Sequence, residues 1–114
     1  MEKFFITHVD NVEPVDCPCG QSRRMITKKE TPDLNIHRTD IVDSESHYHK
    51  ITTEVYYILN GSGRILLDNR SFAIGPGHCI YISPGVRHRV FGEVQALIVG
   101  VPAFDEQDEY FDCQ

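Results

Sequence analysis

The chain has 114 residues and a formal net charge of −6, with 40% hydrophobic and 25% charged residues. This length predicts one domain, and the composition fits neither a disordered chain nor a membrane protein. Because acidic residues are in excess, nucleic acid and anionic membranes are unfavourable partners.

Short runs of β-branched and aromatic residues, separated by turn residues, predict an all-β fold. No window of ten or more residues has a convincing helical period. The predicted strands, in chain order, are Phe4–Val9, Arg23–Thr27, Leu34–Val42, His47–Lys50, Thr53–Leu59, Arg64–Asp68, Ser71–Ile74, Cys79–Ile82, His88–Phe91 and Ala96–Val101. Many short strands at even spacing predict one small β-barrel.

We expect a single domain over residues 1–114, with amino-terminal strands and turns in 1–33, the barrel core in 34–101 and an acidic tail in 102–114. Asn60-Gly61 is the strongest turn signal and predicts a hairpin, because both central residues of a type I′ turn need positive φ. Five acidic residues among the last ten predict a solvated, loosely ordered tail.

The four cysteines do not predict disulfides. Cys17 and Cys19 are only two apart, Cys79 lies in an apolar segment and Cys113 is next to last. The first residues lack the pattern of a secretory signal, since Thr7 soon interrupts their apolar run, and we therefore expect a cytoplasmic protein. The Cys-Pro-Cys-Gly segment is either a redox or thiolate group over the barrel mouth or, as we favour, a tight turn whose thiols pack as small hydrophobic groups.

Three histidines and one carboxylate carry the chemical signal. His47 and His49 are two apart, so on a strand both imidazoles leave the same face. Glu54 opens the next β run, and His88 follows a Pro-Gly turn. Side chains from different strands of a closed barrel can converge on its axis. This set suits one divalent ion of zinc, iron, manganese, cobalt, nickel or copper, whereas calcium prefers oxygen ligands.

The spacing of these residues, together with nearby glycines, resembles the two signature motifs of the cupin superfamily. The motifs are His47-x-His49-x₄-Glu54-x₆-Gly61 and Gly77-x₅-Ser83-x-Gly85-x₂-His88. The direct match runs from Ser44 to Gly92. Ser83 stands where a proline is usual and Gly92 where asparagine is frequent, and neither position is a ligand.

The resemblance implies a double-stranded β-helix, a jelly-roll variant, with a metal near one mouth. It also implies that His47, His49, Glu54 and His88 leave two adjacent octahedral positions open to water, substrate or dioxygen. Such an open site can act as a Lewis acid or activate water. Small cupins commonly pair through an amino-terminal strand, so the resemblance implies a homodimer, and the apolar segment Phe4–Ile6 fits such an edge.

Strand alternation extends the site beyond the ligands. If Glu54 points into the barrel, Tyr56 shares its face, and the phenol can hydrogen-bond a substrate or act as an acid. The alternative is a core tyrosine whose hydroxyl bonds to the backbone. On the strand before the first motif, His37 and Arg38 face opposite ways, and the pattern does not decide which lines the pocket. Tyr56, His37 and Arg38 are therefore the candidate pocket residues, with Tyr56 the catalytic candidate.

Two functions follow from this site. The first is an enzyme whose metal polarises a small molecule that bears a carboxylate or neighbouring oxygens. The resemblance implies dioxygenase, decarboxylase, isomerase, dehydrating or lyase activity, and the fold and ligands do not choose among them. The second is a ligand-binding or sensor protein with a metal but no turnover. A metal-free structural cupin is disfavoured because all four ligands are present.

Overall fold

The computed structural model of the protein describes residues 3–112. Its strands are β1 (Val15–Cys17), β2 (Gly20–Ile26), β3 (Asn35–Val42), β4 (His47–Tyr48), β5 (Thr53–Leu67), β6 (Arg70–Ile74), β7 (Cys79–Ile82), β8 (His88–Val101) and β9 (Tyr110–Phe111). Two short 3₁₀ turns lie at Val9–Asn11 and Glu106–Asp108. Within residues 3–112 no helix is long and apolar enough to span a membrane. The all-β prediction is confirmed.

The two longest strands, β5 and β8, form the frame of the curled sheet. They pair antiparallel over their whole lengths, from Thr53 opposite Val101 to Leu67 opposite His88. On its other side β8 pairs with β3, which continues to β2 and β1. The shorter strands β6 and β7 pair with the two halves of β5. This arrangement places β4 beside the start of β8, and it places the start of β5 beside the end of β8.

The hairpin predicted at Asn60-Gly61 is wrong. The strand continues through these residues, so the predicted strands Thr53–Leu59 and Arg64–Asp68 are two halves of β5. The register with β8 shifts by one residue after Ile58, which is a β-bulge. Gly61 has φ +82°, and a Cβ there would collide with the carbonyl oxygen of Glu93. The Asn-Gly signal therefore marks a positive φ inside a bulged strand.

The strand predicted at Phe4–Val9 is also wrong. Residues 4–8 pair with no other strand, and Val9 begins a 3₁₀ turn. Phe4 and Ile6 are 74% and 93% exposed. A segment forms a strand only when its backbone groups pair with a neighbouring strand. Within the described residues the sheet ends at β1 on this side, so residues 4–8 are not part of it.

The core lies between the inward faces of the curled sheet. Inward residues of β3, β5, β6, β7 and β8 supply it, and the members with 2% exposure or less are Ile41, Ile58, Ile65, Ile82, Val90 and Ala96. The buried face of β5 runs from Ile58 back through Tyr56 to Glu54. One end of the barrel interior is therefore apolar, and the other end is polar and buried.

Tail residues 104–112 pack against the barrel, in contrast to the solvated terminus that the acidic composition predicts. Strand β9 pairs with β4, with Tyr110 opposite Tyr48. The Lys50 ammonium lies 4.4 Å from the centre of the Tyr110 ring, and the Phe104 N–H donates to Asn35 Oδ1 at 2.8 Å. These contacts fold the tail back over the polar end of the barrel.

Candidate metal centre

The four predicted metal ligands come together at the polar end of the barrel. His47 on β4 is the register partner of His88 on β8, His49 follows β4, and Glu54 is the second residue of β5. One ligand atom from each lies within 4.8 Å of the others. Glu54 Oε1 is 3.1 Å from His49 Nε2 and 3.0 Å from His88 Nε2. Three of the four residues are buried, and His47 is half-buried.

The hydrogen bonds of the imidazoles assign their protons. In each ring Nδ1 lies within hydrogen-bond distance of a backbone carbonyl oxygen. The pairs are His47 with Glu45 at 2.9 Å, His49 with Asp108 at 2.8 Å and His88 with Val86 at 3.0 Å. Because a carbonyl oxygen only accepts, Nδ1 carries the proton and donates it. The Nε2 lone pair of each neutral ring is then free, which is how histidine binds a metal while its other nitrogen is held by a second group.

Three atoms at the centre of the cluster lack a hydrogen bond. His49 Nε2, His88 Nε2 and Glu54 Oε1 are buried without a partner among residues 3–112. At 3.0–3.1 Å the lone pairs of two neutral rings face a carboxylate oxygen, which is repulsive. A buried polar atom without a partner costs about 1–3 kcal/mol. A divalent cation between these atoms satisfies all three, so the residues fit a metal.

Proton binding shows the same demand for positive charge. Burial raises the pKa of Glu54, but the imidazoles of His49 and His88 beside it outweigh burial and hold this pKa well below its ordinary range. Burial lowers the pKa of His49, but the adjacent Glu54 carboxylate raises it overall. Burial, and then the charge of His88, lower the pKa of His47 to about 4. Positive charge beside Glu54 is therefore favoured, and a divalent cation bound at these residues would supply it.

The cluster opens into a cavity of about 320 Å³, and Tyr56 lies in its wall. Tyr56 is 4% exposed and its hydroxyl makes no hydrogen bond to any described residue. The alternative that this hydroxyl bonds to the backbone is thus not observed. Burial, and then the charge of Glu54, raise the pKa of Tyr56 well above 10, so the phenol keeps its proton. It is a free donor beside the candidate metal centre.

The two alternative pocket residues of β3 are separated by the pleat. His37 lines the cavity, and its ring meets that of Phe104 edge-on at 6.4 Å between centres. Burial, and then the charge of Arg24, lower the pKa of His37 to about 4, so it is neutral at pH 7. Arg38 lies on the opposite face of β3 and is not among the residues that line this cavity. Of the two residues, His37 is therefore the pocket candidate.

Asp108 is a site residue that the sequence pattern did not reveal. It is 4% exposed, and its carboxylate accepts hydrogen bonds from the backbone N–H groups of Lys50, Ile51 and Thr52 at 2.9–3.2 Å. Its own carbonyl oxygen accepts from His49. Asp108 therefore holds the loop between the ligands His49 and Glu54. In the sequence it is one acid among several in a polar tail, and no spacing links it to residue 49.

The Cys-Pro-Cys segment forms part of the cavity wall and is a disulfide, contrary to the sequence expectation. Cys17 and Cys19 flank the turn between β1 and β2, and both line the cavity. Their Cα atoms are 5.2 Å apart, which lies in the range that a disulfide requires, and their sulfurs are bonded. The tight turn that we favoured is observed, but the prediction that its thiols pack as free hydrophobic groups is wrong, because they are bonded to each other.

A curled antiparallel sheet with three histidines and one glutamate converging at its polar end defines a small barrel protein with a candidate metal centre. The model of the cupin domain family matches residues 42–98, half of the chain, and this segment contains all four candidate ligands. The chain belongs to the cupin family, and its fold is the double-stranded β-helix expected from the motifs.

Solved structures resemble it over nearly the whole chain. A protein from Planctomyces limnophilus is 31% identical with a TM-score of 0.88, and the match covers 94% of this chain and 96% of that one. A variant of a Streptomyces nucleoside dehydratase, solved with uridine, is 19% identical with a TM-score of 0.85, covering 97% and 92%. Oxalate decarboxylase from Bacillus subtilis is 23% identical with a TM-score of 0.74, covering 90% and 30%. At these low identities, the last two matches show a shared fold and nothing more.

A sequence relative covers less of the chain. An uncharacterized protein of Methanocaldococcus jannaschii is 36% identical over 66 residues, which are 54% of this chain and 53% of the archaeal protein. This chain therefore spans about half the length of that relative.

Proposed function

We propose that this protein is a metal-dependent enzyme that acts on a small polar molecule bearing a carboxylate or neighbouring oxygens. His47, His49, Glu54 and His88 would hold one divalent transition metal. The observation that carries the proposal is the orientation of the three imidazoles: each donates Nδ1–H to a carbonyl, and Nε2 of His49 and of His88 lies 3.0–3.1 Å from Glu54 Oε1. When bound, the metal would supply a Lewis acid that polarises a substrate oxygen.

The rest of the chemistry falls to the chain's own residues. Tyr56 holds a proton on its hydroxyl in the wall of the same cavity, and it would donate a hydrogen bond or a proton to substrate oxygen. Neutral His37 lines the wall and would orient the substrate. A cavity of about 320 Å³ admits only a small molecule. Two structural neighbours are a nucleoside dehydratase and a decarboxylase. Like them, this chain would act on a small molecule, but the shared fold does not assign it their substrates or reactions.

The test is metal analysis of protein purified without added metal. We expect close to one transition-metal ion per chain, and loss of most of it in His49→Ala. His8→Ala is the matched control, since His8 is exposed and outside the cluster. Wild-type protein that takes up no stoichiometric metal, or a His49→Ala variant that keeps all of it, would refute the proposal.

Binding without turnover is the second candidate. It is favoured by the protonated state of Tyr56, which makes this residue an acid and leaves the phenol unable to act as a base at neutral pH. Oxygen-uptake and product analysis with a panel of small acids, sugars and thiols separates the two. Tight binding with no product identifies a sensor, and any catalysed product identifies an enzyme.

We further propose that the protein is a cytoplasmic homodimer. Support for the dimer is the set of exposed apolar side chains on the outer face of β5, β7 and β8, which includes Tyr57, Tyr81 and Val101. Burial of such residues against a second copy would remove them from water. The location is open to a simple test. The structure has a Cys17–Cys19 disulfide, whereas the reducing cytoplasm would keep both residues as thiols. Thiol labelling in cells reports their state, and a disulfide found there would contradict a cytoplasmic location.

A further inference from the structure

The cavity at the candidate metal centre has a second polar wall, formed by β2 and β3. Arg24 and His37 are register partners on these strands, so their side chains leave the same face, and both line the cavity. Ser22 and Thr39 are another such pair; both are buried, and the Thr39 hydroxyl donates to Ser22 Oγ at 3.2 Å. Of these four, Arg24 has the largest unused capacity for hydrogen bonding.

Arg24 has a buried donor without an acceptor. Its Nε is buried and makes no hydrogen bond within residues 3–112. Its Nη1 lies 3.8 Å from Glu106 Oε1, too far for a hydrogen bond, and the Glu106 side chain is 83% exposed. The Arg24 side chain itself is only 26% exposed. A guanidinium is always charged, and its fork of N–H groups matches the two oxygens of a carboxylate.

Arg24 supplies positive charge to the cavity wall, and this charge favours an anion bound beside it. Arg24 is the only arginine or lysine among the described residues that line the cavity. Besides the candidate ligand Glu54, four acidic residues line the cavity: Asp16, Glu45 and Glu106 are exposed to water, and Glu109 is half-buried. Exposed charges are screened by solvent, whereas a partly buried guanidinium is screened less. Glu106 already brings a carboxylate close to Arg24, and a ligand carboxylate can replace it.

We propose that Arg24 binds the carboxylate of a small organic acid, whose other end reaches the candidate metal centre in the same cavity. This inference rests on the proposed function for the far end of the ligand. It assigns to Arg24 the selection of anionic over neutral molecules. His37, the register partner of Arg24, lines the same cavity.

Nuclear magnetic resonance of the Arg24 Nε–H group tests the anion site directly. Zn²⁺-loaded, ¹⁵N-labelled protein is titrated with acetate and succinate, with acetamide as the uncharged analogue, and the Arg24 signal is assigned by its loss in Arg24→Gln. We expect the Nε–H signal to move and saturate with either acid and to stay in place with acetamide. Inorganic phosphate forms a further arm: a signal that moves with phosphate but with neither acid overturns the carboxylate proposal.

Calorimetric titration of succinate measures the contribution of Arg24 to affinity. We expect Arg24→Gln to weaken binding by about tenfold or more, since it removes a charge-assisted pair. Arg24→Lys keeps the charge and should lie between the two. Arg70→Gln is the control, because Arg70 is exposed on β6 and outside the cavity. Circular dichroism verifies the fold of each variant. Equal succinate affinity in wild type and Arg24→Gln would overturn the proposal.

Metal analysis of the same samples, together with titrations repeated after EDTA treatment, separates the two hypotheses. A chain that binds no metal, yet whose Arg24 signal still responds to acid, keeps the anion site and loses the proposed metal function. A metal-loaded chain whose Arg24 signal does not respond to either acid keeps the metal and overturns the anion site.

Discussion

The carbonyl oxygen of Asp108 lies 2.8 Å from His49 Nδ1, across 59 residues of sequence. The same residue accepts three backbone N–H groups from the loop that separates His49 from Glu54. One tail residue thereby orients an imidazole and holds the loop that carries two candidate ligands. A metal ligand held by a second group binds with higher affinity, because its orientation is set before the metal arrives.

Replacing Asp108 should therefore weaken the metal centre. In Asp108→Ala the three loop N–H groups lose their acceptor, and we expect a 10–100-fold lower metal affinity, as measured by chelator competition. The free energy of unfolding should fall by about 2–3 kcal/mol, since a buried charged acceptor is lost. Asp33→Ala is the control, because Asp33 is exposed on a turn. Metal affinity equal to that of wild type would show that the tail does not support the site.

Removing the Tyr56 hydroxyl should separate chemistry from metal binding. Tyr56→Phe keeps the ring in the core and removes only a hydroxyl without a hydrogen bond, so we expect a change of less than about 1 kcal/mol in stability and an unchanged metal content. If Tyr56 donates a proton to the substrate, kcat should fall by about 10²–10⁴-fold. Tyr57→Phe, on the exposed face of β5, should change neither the metal content nor kcat. A fully active Tyr56→Phe enzyme would remove Tyr56 from the mechanism.

The protonation of His37 should make the metal-free protein less stable in acid. Its pKa is about 4 in the folded protein and about 6.5 when unfolded, so between these values the unfolded chain binds more protons. Stability is therefore lost as pH falls from about 6.5 toward 4, and at pH 5 the loss amounts to about 2 kcal/mol. Urea unfolding of EDTA-treated wild type and His37→Asn at pH 7 and pH 5 measures it. Wild type should lose about 2 kcal/mol more than the variant, and parallel losses would contradict the assignment.

The homodimer proposal predicts a sensitive position on the outer sheet face. Tyr81 is 68% exposed on β7, beside Val55 of β5. Tyr81→Lys would place a charge in an interface formed there, and light scattering should show a shift from dimer to monomer. Lys29→Glu, on a turn away from these strands, is the control. A wild-type protein that is monomeric at all concentrations would exclude the dimer.

The metal-ligand residues were accessible to sequence reasoning because their signal is local. The two motifs each lie within one short segment, and strand alternation alone places Tyr56 and Glu54 on one face. Strands β2, β3, β4, β6 and β7 were predicted for the same reason, whereas the predicted strands His88–Phe91 and Ala96–Val101 are one strand, β8. The errors occurred where pairing overrides local preference: Asn60-Gly61 reads as a turn, but β8 pairs with the chain on both sides of it.

The residues that surround the ligands could not be obtained in this way. Nothing near Asp108 in the sequence indicates that it holds the loop after His49, and nothing near Arg24 indicates that it lines the cavity. Both contacts depend on long-range pairing, of β9 with β4 and of β2 with β3. The choice between His37 and Arg38 also required the register of β3 against both neighbours. Side-chain period and motif spacing act within a few residues, and they determine the strands and the four candidate ligands. Convergence of those ligands, their proton positions and the shape of the pocket depend on contacts between distant segments, which form only when the sheet curls closed.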